Sequence, residues 1–405
     1  MTNSMTIESD STNLRKRKKN ILLLCAATSV YALNLIALGP VVARLADERG
    51  LSKSQTGLIF TIHFLGFIVF SLVGAFIADR IGKKQVIIWS LFGFCVGFLL
   101  FSAVNNFIIE CLIMFVLGGC GGIVECLGSA FAADLDKDNP EYAVNYLQIF
   151  FSVGAMVSPL IVSVFLSELT YWKSFYILLA VYSLLLAVMM IQSGKGQPND
   201  ILPQRIRLKD ISHIIREPYF LLMCLCMLAY TGSEVGAWGW LSSLLQQKFS
   251  FSEIQSGIGV SLFWLFMTIG RLVSAWLIPK LGARRLVILL AGFSAVVTLA
   301  AVYITDKRIL LLLVAGIGLG CSSQFPLIAG IGSRKTNLPS GTAFTILMVS
   351  GNVGSSMIPY MMGVTGDAFG LDKALLIPVI LFVLICGAFL FTRQKDAGVL
   401  PVKLP

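Results

Sequence analysis

Charge is scarce in this sequence. Only 13% of its 405 residues are Asp, Glu, Lys or Arg, and only two are histidines, whereas soluble domains carry about 25% charged residues. With only His63 and His213 available and no CxxC among nine cysteines, there is no ligand spacing for a metal site. No catalytic dyad, phosphate-cradling loop or sizeable soluble segment is visible, so neither an enzyme nor a receptor is expected, and no cofactor. The cysteines all fall in apolar runs, where Cys behaves as a small buried residue.

What the chain has instead is long apolar runs. It is 57% hydrophobic, with a mean hydropathy of +0.85. Stretches long enough to cross a bilayer as helices lie near 20–42, 54–78, 85–104, 107–132, 142–167, 172–192, 218–244, 253–278, 284–304, 309–332, 340–365 and 373–393. No run of short polar alternation suggests a β-barrel. The expectation is an all-α integral membrane protein of twelve transmembrane helices.

The net charge of +10 does not point to nucleic acid, because the basic residues are sorted by position. Twenty-two of the 31 Lys and Arg fall on the side of the N-terminus, eight on the other, and Arg271 within a span. By the positive-inside rule both termini are cytoplasmic, in a cytoplasmic (inner) membrane. The early RKRKK cluster has no small-x-small cleavage site after it and reads as the flank of the first span.

The polar interval SGKGQPNDILPQRIRLKDISHIIREP separates two sets of six spans. The boundaries read 1–192 for the N-terminal half, 193–217 for a cytoplasmic linker and 218–405 for the C-terminal half. At an offset of 200, GAFIADRIGKKQVI (74–87) lies over SAWLIPKLGARRLV (274–287), placing Gly82 on Gly282 and Arg80 on Lys280. This is an internal repeat of the kind that builds transporters from two parallel six-helix bundles.

GAFIADRIGKK also resembles the signature G-x-x-x-D-R-x-G-R/K-R/K of the major facilitator superfamily, at the expected place between second and third spans. The resemblance covers nearly the whole chain and implies two pseudo-symmetric six-helix bundles with alternating access. Gly74, Asp79, Arg80, Gly82, Lys83 and Lys84 would then serve gating. Gly74 lets helices approach, and Asp79 at a helix end can accept bonds from a partner Arg or a helix N-terminus.

Four further stretches are similar to the fucose/proton symporter group of sugar transporters. They are GGCGGIVECLGSAFAADL around Glu125; VNYLQIFFSVGAMVSPL with Asn145, Gln148, Phe151 and Gly154; YTGSEVGAWGWL with LFWLFMTIGRLVSAWL; and SSQFPLIAGIG with Gln324 and Pro326. The first span carries Asn34 where that group has an acidic residue, and Ser129 stands near the place of its Asn-Pro.

A carboxylate inside a bilayer is costly and is a functional candidate by default. Glu125 lies roughly 13 Å into its span, at about 1.5 Å per residue, where a coupling proton would bind; the alternative is a hydrogen-bonded brace. Glu234 sits among Gly232, Gly236 and Gly239, and could contact solute, a proton or Na⁺, or pair structurally with Arg271. Arg271 reads as a gate or a packing charge, and His63 as a packing residue or a proton relay. Glu110, at the start of its span, reads as a helix N-terminal charge.

The amides Asn34, Asn145, Gln148, Gln324 and Asn352 either line a wet cavity or tie helices together. Sugars are bound by amide and carboxylate hydrogen bonds with an aromatic face on the ring, for which Trp238, Phe151, Trp264 and Tyr31 are candidates. A charged solute would need a compensating fixed charge, and few are available. The expected function is secondary active transport of a small neutral polar solute, a sugar above all, by proton-coupled symport (or with Na⁺), by a monomer in the lipid bilayer. The competing reading is an exporter of amphipathic or hydrophobic compounds, which the Met-rich eleventh span (Met348, Met357, Met361, Met362) favours.

Overall fold

The computed structural model describes residues 2–136, 140–168, 171–194, 217–334, 336 and 340–391. All regular structure among them is helical. In chain order the helices are α1 (Thr2–Arg49), α2 (Lys53–Ile81), α3 (Lys83–Ala103), α4 (Phe107–Leu135), α5 (Pro140–Glu168), α6 (Ser174–Gln192), α7 (Pro218–Phe249), α8 (Glu253–Leu281), α9 (Ala283–Tyr303), α10 (Lys307–Cys321), α11 (Gln324–Arg334), α12 (Ser340–Phe369), α13 (Leu371–Ala374) and α14 (Leu376–Phe391). Most of the linker expected at 193–217 lies outside the described residues.

Helices are the form in which an apolar segment satisfies its own backbone in lipid. Among the described residues eleven spans are long and apolar enough to cross a membrane, α10 and α11 together making one of them and α13 and α14 another. The remaining expected span falls on α12, which is long enough at 30 residues. Its centre carries Ser350, Gly351, Asn352, Gly354, Ser355 and Ser356, so it is less apolar than the others.

The internal repeat reaches the level of single hydrogen bonds. α2 and α8 begin at 53 and 253, α3 and α9 at 83 and 283, α4 and α10 at 107 and 307. Ser52 and Ser252 both open reciprocal capping boxes. Their N–H groups donate to Gln55 and Gln255 at 3.0 Å, and their hydroxyls accept the Gln55 and Gln255 N–H at 3.2 Å. Asn106 caps α4 and Asp306 caps α10, each accepting two backbone N–H groups. Gly82 and Gly282 sit in the turns before α3 and α9 at φ 94° and 77°, a conformation that suits glycine alone.

Contacts divide the chain into two compact units, residues 1–38 with 62–203, and residues 39–61 with 204–405. In the first, α4 lies so close to α2 that a Cβ at Gly118 would collide with the His63 carbonyl. The same approach recurs in the second unit between Gly318 and the Phe263 carbonyl, again 200 residues on.

The first unit also contains a buried ion pair. Lys173 Nζ donates to Glu110 Oε1 at 2.9 Å, with side chains 5% and 2% exposed. It donates as well to Asn105 Oδ1 at 2.9 Å and to the Val104 carbonyl. Glu110 is therefore more than the helix-end charge expected of it: it is the buried partner of a lysine, tying the start of α4 to the turn before α6.

In the second unit, α7 and α12 pack intimately, with Trp240 Nε1 donating to the Pro359 carbonyl at 2.9 Å. A buried cluster of Trp240, Leu244, Val302, Ile358, Met362 and Leu371 surrounds this contact. The α1–α2 hairpin belongs to this unit: Thr61 Oγ1 donates to the Ser356 carbonyl at 2.6 Å and Ser356 Oγ to the Thr61 carbonyl at 3.1 Å.

Candidate coupling and solute-binding residues

Glu125 projects from α4 beside α5. Gln148 Nε2 donates to its Oε1 at 3.0 Å, while Oε2 is buried with no hydrogen-bond partner among the described residues. One turn earlier, Gly121 leaves room for the Tyr31 ring of α1, which a Cβ would strike. Tyr31 lies close enough to Glu125 to feel its charge. The ring stacks parallel on His63, centroids 6.2 Å apart, and is flanked by Phe67 and Phe151 at 5.8 and 6.1 Å. The glycine-rich start of the motif thus seats an aromatic face next to the carboxylate.

The other candidates of the first unit divide. Asn34 is wholly buried and neither amide atom has a partner among the described residues, whereas Asn145 is exposed. His63 is wholly buried. Its ring faces the Met114 backbone without reaching a hydrogen bond of normal geometry.

In the second unit, Glu234 lies against the Tyr230 hydroxyl, one turn earlier on α7, and within range of the Arg271 charge. Both neighbours reach the interruption between α10 and α11. Tyr230 donates its hydroxyl to the Cys321 carbonyl at 2.6 Å and Arg271 donates Nε to the Ser322 carbonyl at 3.1 Å. The interruption has a local cause: Pro326 has no N–H to offer the Ser322 carbonyl four residues before it, and its ring crowds that carbonyl. Freed carbonyls in a membrane need other donors, and Tyr230 and Arg271 supply them. Although α7 is glycine-rich around Glu234, it runs unbroken from Pro218 to Phe249; the interruption near it lies in the span that carries Gln324.

Gln324 is itself fully buried, its Nε2 donating to Ser294 Oγ at 3.2 Å and to the Gly320 carbonyl at 3.0 Å. Asn352 bonds back to the Met348 carbonyl at 2.9 Å. Trp238, 1% exposed, is packed between Phe60 and Trp264, with centroids 6.0 and 6.3 Å away.

The signature residues of the α2–α3 turn take several roles. Gly74 gives way to Ile123 of α4, whose Cγ1 would lie 2.7 Å from a Cβ at that position. Lys83 pairs with Asp134 at the end of α4, at 2.5 Å. Lys84 is buried and donates to Ser193 Oγ at 2.6 Å and to the Gly194 carbonyl at 2.5 Å, closing off the end of α6. Its repeat partner Arg284 does the same for α14, through the Phe389 and Leu390 carbonyls. Arg80 and Asp79 are exposed, and Asp79 makes no hydrogen bond or ion pair among the described residues.

Sequence reading missed Lys173 as a partner for Glu110, and it missed Arg44, Lys53, Glu253 and Asp367, which bind the α1–α2 hairpin to α8 and α12. One signal was available for the last of these: the repeat puts Ser167 where Asp367 stands and Lys53 where Glu253 stands.

A scaffold of long apolar helices in two copies, each with a carboxylate within a membrane-spanning helix, is that of a membrane transporter. The family model described as Major Facilitator Superfamily matches residues 24–359 and again 224–403, and the chain belongs to that superfamily. A relative in Buchnera aphidicola subsp. Schizaphis graminum (strain Sg), the protein TsgA homolog, is 22% identical over 370 residues, which are 89% of this chain and 94% of its own. The structure of a D-xylose-proton symporter is similar over 93% of this chain and 98% of its own, with a TM-score of 0.77 and 13% identity. A variant of the E. coli fucose:proton symporter FucP is similar over 93% of this chain and 98% of its own, with a TM-score of 0.63 and 19% identity. At such identities the likeness is one of fold.

Proposed function

We propose that this transporter imports a small neutral polar solute, a sugar or sugar-like polyhydroxy compound, coupled to protons through Glu125. The observation that carries this reading is the state of that carboxylate. One oxygen is held by Gln148 and the other is buried without a partner. A buried oxygen left open can be satisfied by a proton or by a solute hydroxyl. Tyr31 offers its ring alongside, while Asn34, Asn145 and Gln148 offer the amides that hydroxyl-rich solutes use. In the second unit, Trp238, Gln324 and Asn352 have the same assignment, with Glu234 as a second coupling carboxylate and Arg271 as the gate at the α10–α11 interruption. The symporters named above, which share the fold, support the solute class and the ion. The distribution of Lys and Arg supports cytoplasmic termini in an inner membrane, and the presence of both repeat halves in one chain supports a monomer.

The test is uptake into proteoliposomes of a panel of labelled hexoses, pentoses and disaccharides, under an imposed proton gradient, an imposed Na⁺ gradient, or neither. The wild type is expected to concentrate one sugar only with the proton gradient. Glu125→Gln is expected to exchange that sugar but no longer concentrate it. Concentration driven by Na⁺, or an undiminished mutant, would remove Glu125 as the proton site. Extrusion of an amphipathic dye with no sugar movement would favour the exporter reading.

A further inference from the structure

The α1–α2 hairpin is held on the second unit by polar contacts, and the central one has an unusual form. Asp367, on the last turn of α12, accepts the backbone N–H of Lys53 through Oδ1 at 2.7 Å and that of Ser54 through Oδ2 at 2.8 Å. These are the first two residues of α2, whose N–H groups have no acceptor within the helix and lie at its positive end. Ser52 caps the third, Gln55. The cap of α2 is therefore shared between its own serine and a carboxylate from α12. Lys53 answers by donating Nζ to the Gly366 carbonyl at 3.1 Å, so the two helix ends hold each other in both directions.

Beside this, Arg44 at the end of α1 donates to Glu253 at the start of α8 at 2.9 Å. Behind it lies the Thr61–Ser356 pair of reciprocal bonds. Small residues line the approach: a Cβ at Gly57 would meet the Pro359 carbonyl at 2.9 Å.

Two asymmetries single out Asp367. Its repeat counterpart is Ser167, which is exposed and bonds back to the Val164 carbonyl at 3.3 Å, so that position carries no carboxylate. At the other end of α2, Asp79 is exposed and unengaged among the described residues. One end of α2 is tied by a carboxylate while the other end carries one with no partner among the described residues.

We propose that Asp367 and Lys53 form a releasable latch, made in this state of the transporter and broken when the hairpin leaves α12 during the transport cycle, so that its strength sets how often that end opens. The contact suits release because it is polar and sits at an exposed edge, where water replaces the lost bonds. It depends on the transporter fold and not on which solute or ion is carried.

The test needs no substrate. Ser356, 8% exposed beneath the hairpin, becomes the reporter as Ser356→Cys in full-length protein in nanodiscs, labelled with a small water-soluble methanethiosulfonate. The wild type, whose cysteines are buried or half-buried, sets the background. Adding Asp367→Asn is expected to speed labelling at least fivefold, with Asp367→Glu intermediate. Hydrogen exchange of the amides at 53–56 is expected to rise in the same order. Faster exchange with unchanged labelling would show a static cap that never releases and would overturn the proposal, as would no change in either. If Asp367→Asn fails to fold, Lys53→Ala gives the same readout, and unchanged labelling there overturns the proposal equally.

Discussion

Gln148 and Glu125, on neighbouring helices 23 residues apart in sequence, share one hydrogen bond of 3.0 Å that uses a single oxygen of the carboxylate. The pair is thus half-committed. The second oxygen, Oε2, is buried with no partner among the described residues.

Removing the amide tests that arrangement. A hydrogen bond to a neutral hydroxyl contributes about 0.5–1.5 kcal/mol, so Gln148→Ala, if the amide reaches the solute, is expected to weaken apparent solute affinity roughly twofold to tenfold. The check is the concentration dependence of uptake in proteoliposomes. An unchanged half-saturation with a lowered melting temperature would assign Gln148 to packing.

Glu110 and Lys173 define a second expectation, on stability alone. Lys173→Ala leaves a carboxylate buried without its cation, which costs about 3–5 kcal/mol. Thermal unfolding in detergent should fall sharply for that variant, and the double variant Lys173→Ala with Glu110→Gln should recover part of the loss. Equal melting of wild type and Lys173→Ala would refute the pairing.

Acid should loosen the hairpin. Burial pushes the Asp367 carboxyl upward, but the hydrogen bonds from the Ser54 side chain and from the N–H groups of Ser54 and Lys53, together with the Lys53 charge, outweigh it and hold Asp367 below its ordinary value of 3.8. The latched state therefore prefers the ionised carboxylate. Its contribution is complete above the ordinary Asp range and is lost as pH falls through the lowered value. Labelling of Ser356→Cys, corrected for the intrinsic reagent rate, should rise between pH 6 and 3 in the Asp367 protein and stay flat in Asp367→Asn.

The spans were legible because hydropathy alone determines what enters lipid. The expected 107–132 is Phe107–Leu135, and 85–104 is Lys83–Ala103. What could not be read is which side of each helix matters. A helix apolar all round has no polar face to orient it, so Gln324, buried against Ser294, and Asn145, exposed, look alike in sequence. The interruption at Ser322–Ser323 was hidden inside the apolar run 309–332, even though Pro326 marks its cause. The allegiance of residues 39–61 to the second unit is a matter of tertiary contacts such as Thr61 with Ser356, which no local pattern encodes.

The capping boxes at Ser52 and Ser252, the glycine turns at 82 and 282 and the helix ends at 107 and 307 keep one spacing without a residue gained or lost. Each half can therefore be read against the other as its own reference copy. Among the positions where the two halves differ, Glu125 faces Phe325, Glu234 faces Asn34, Gln324 faces Val124 and Asp367 faces Ser167. Exchanging single residues between the copies would tell which difference made a symmetric ancestor directional.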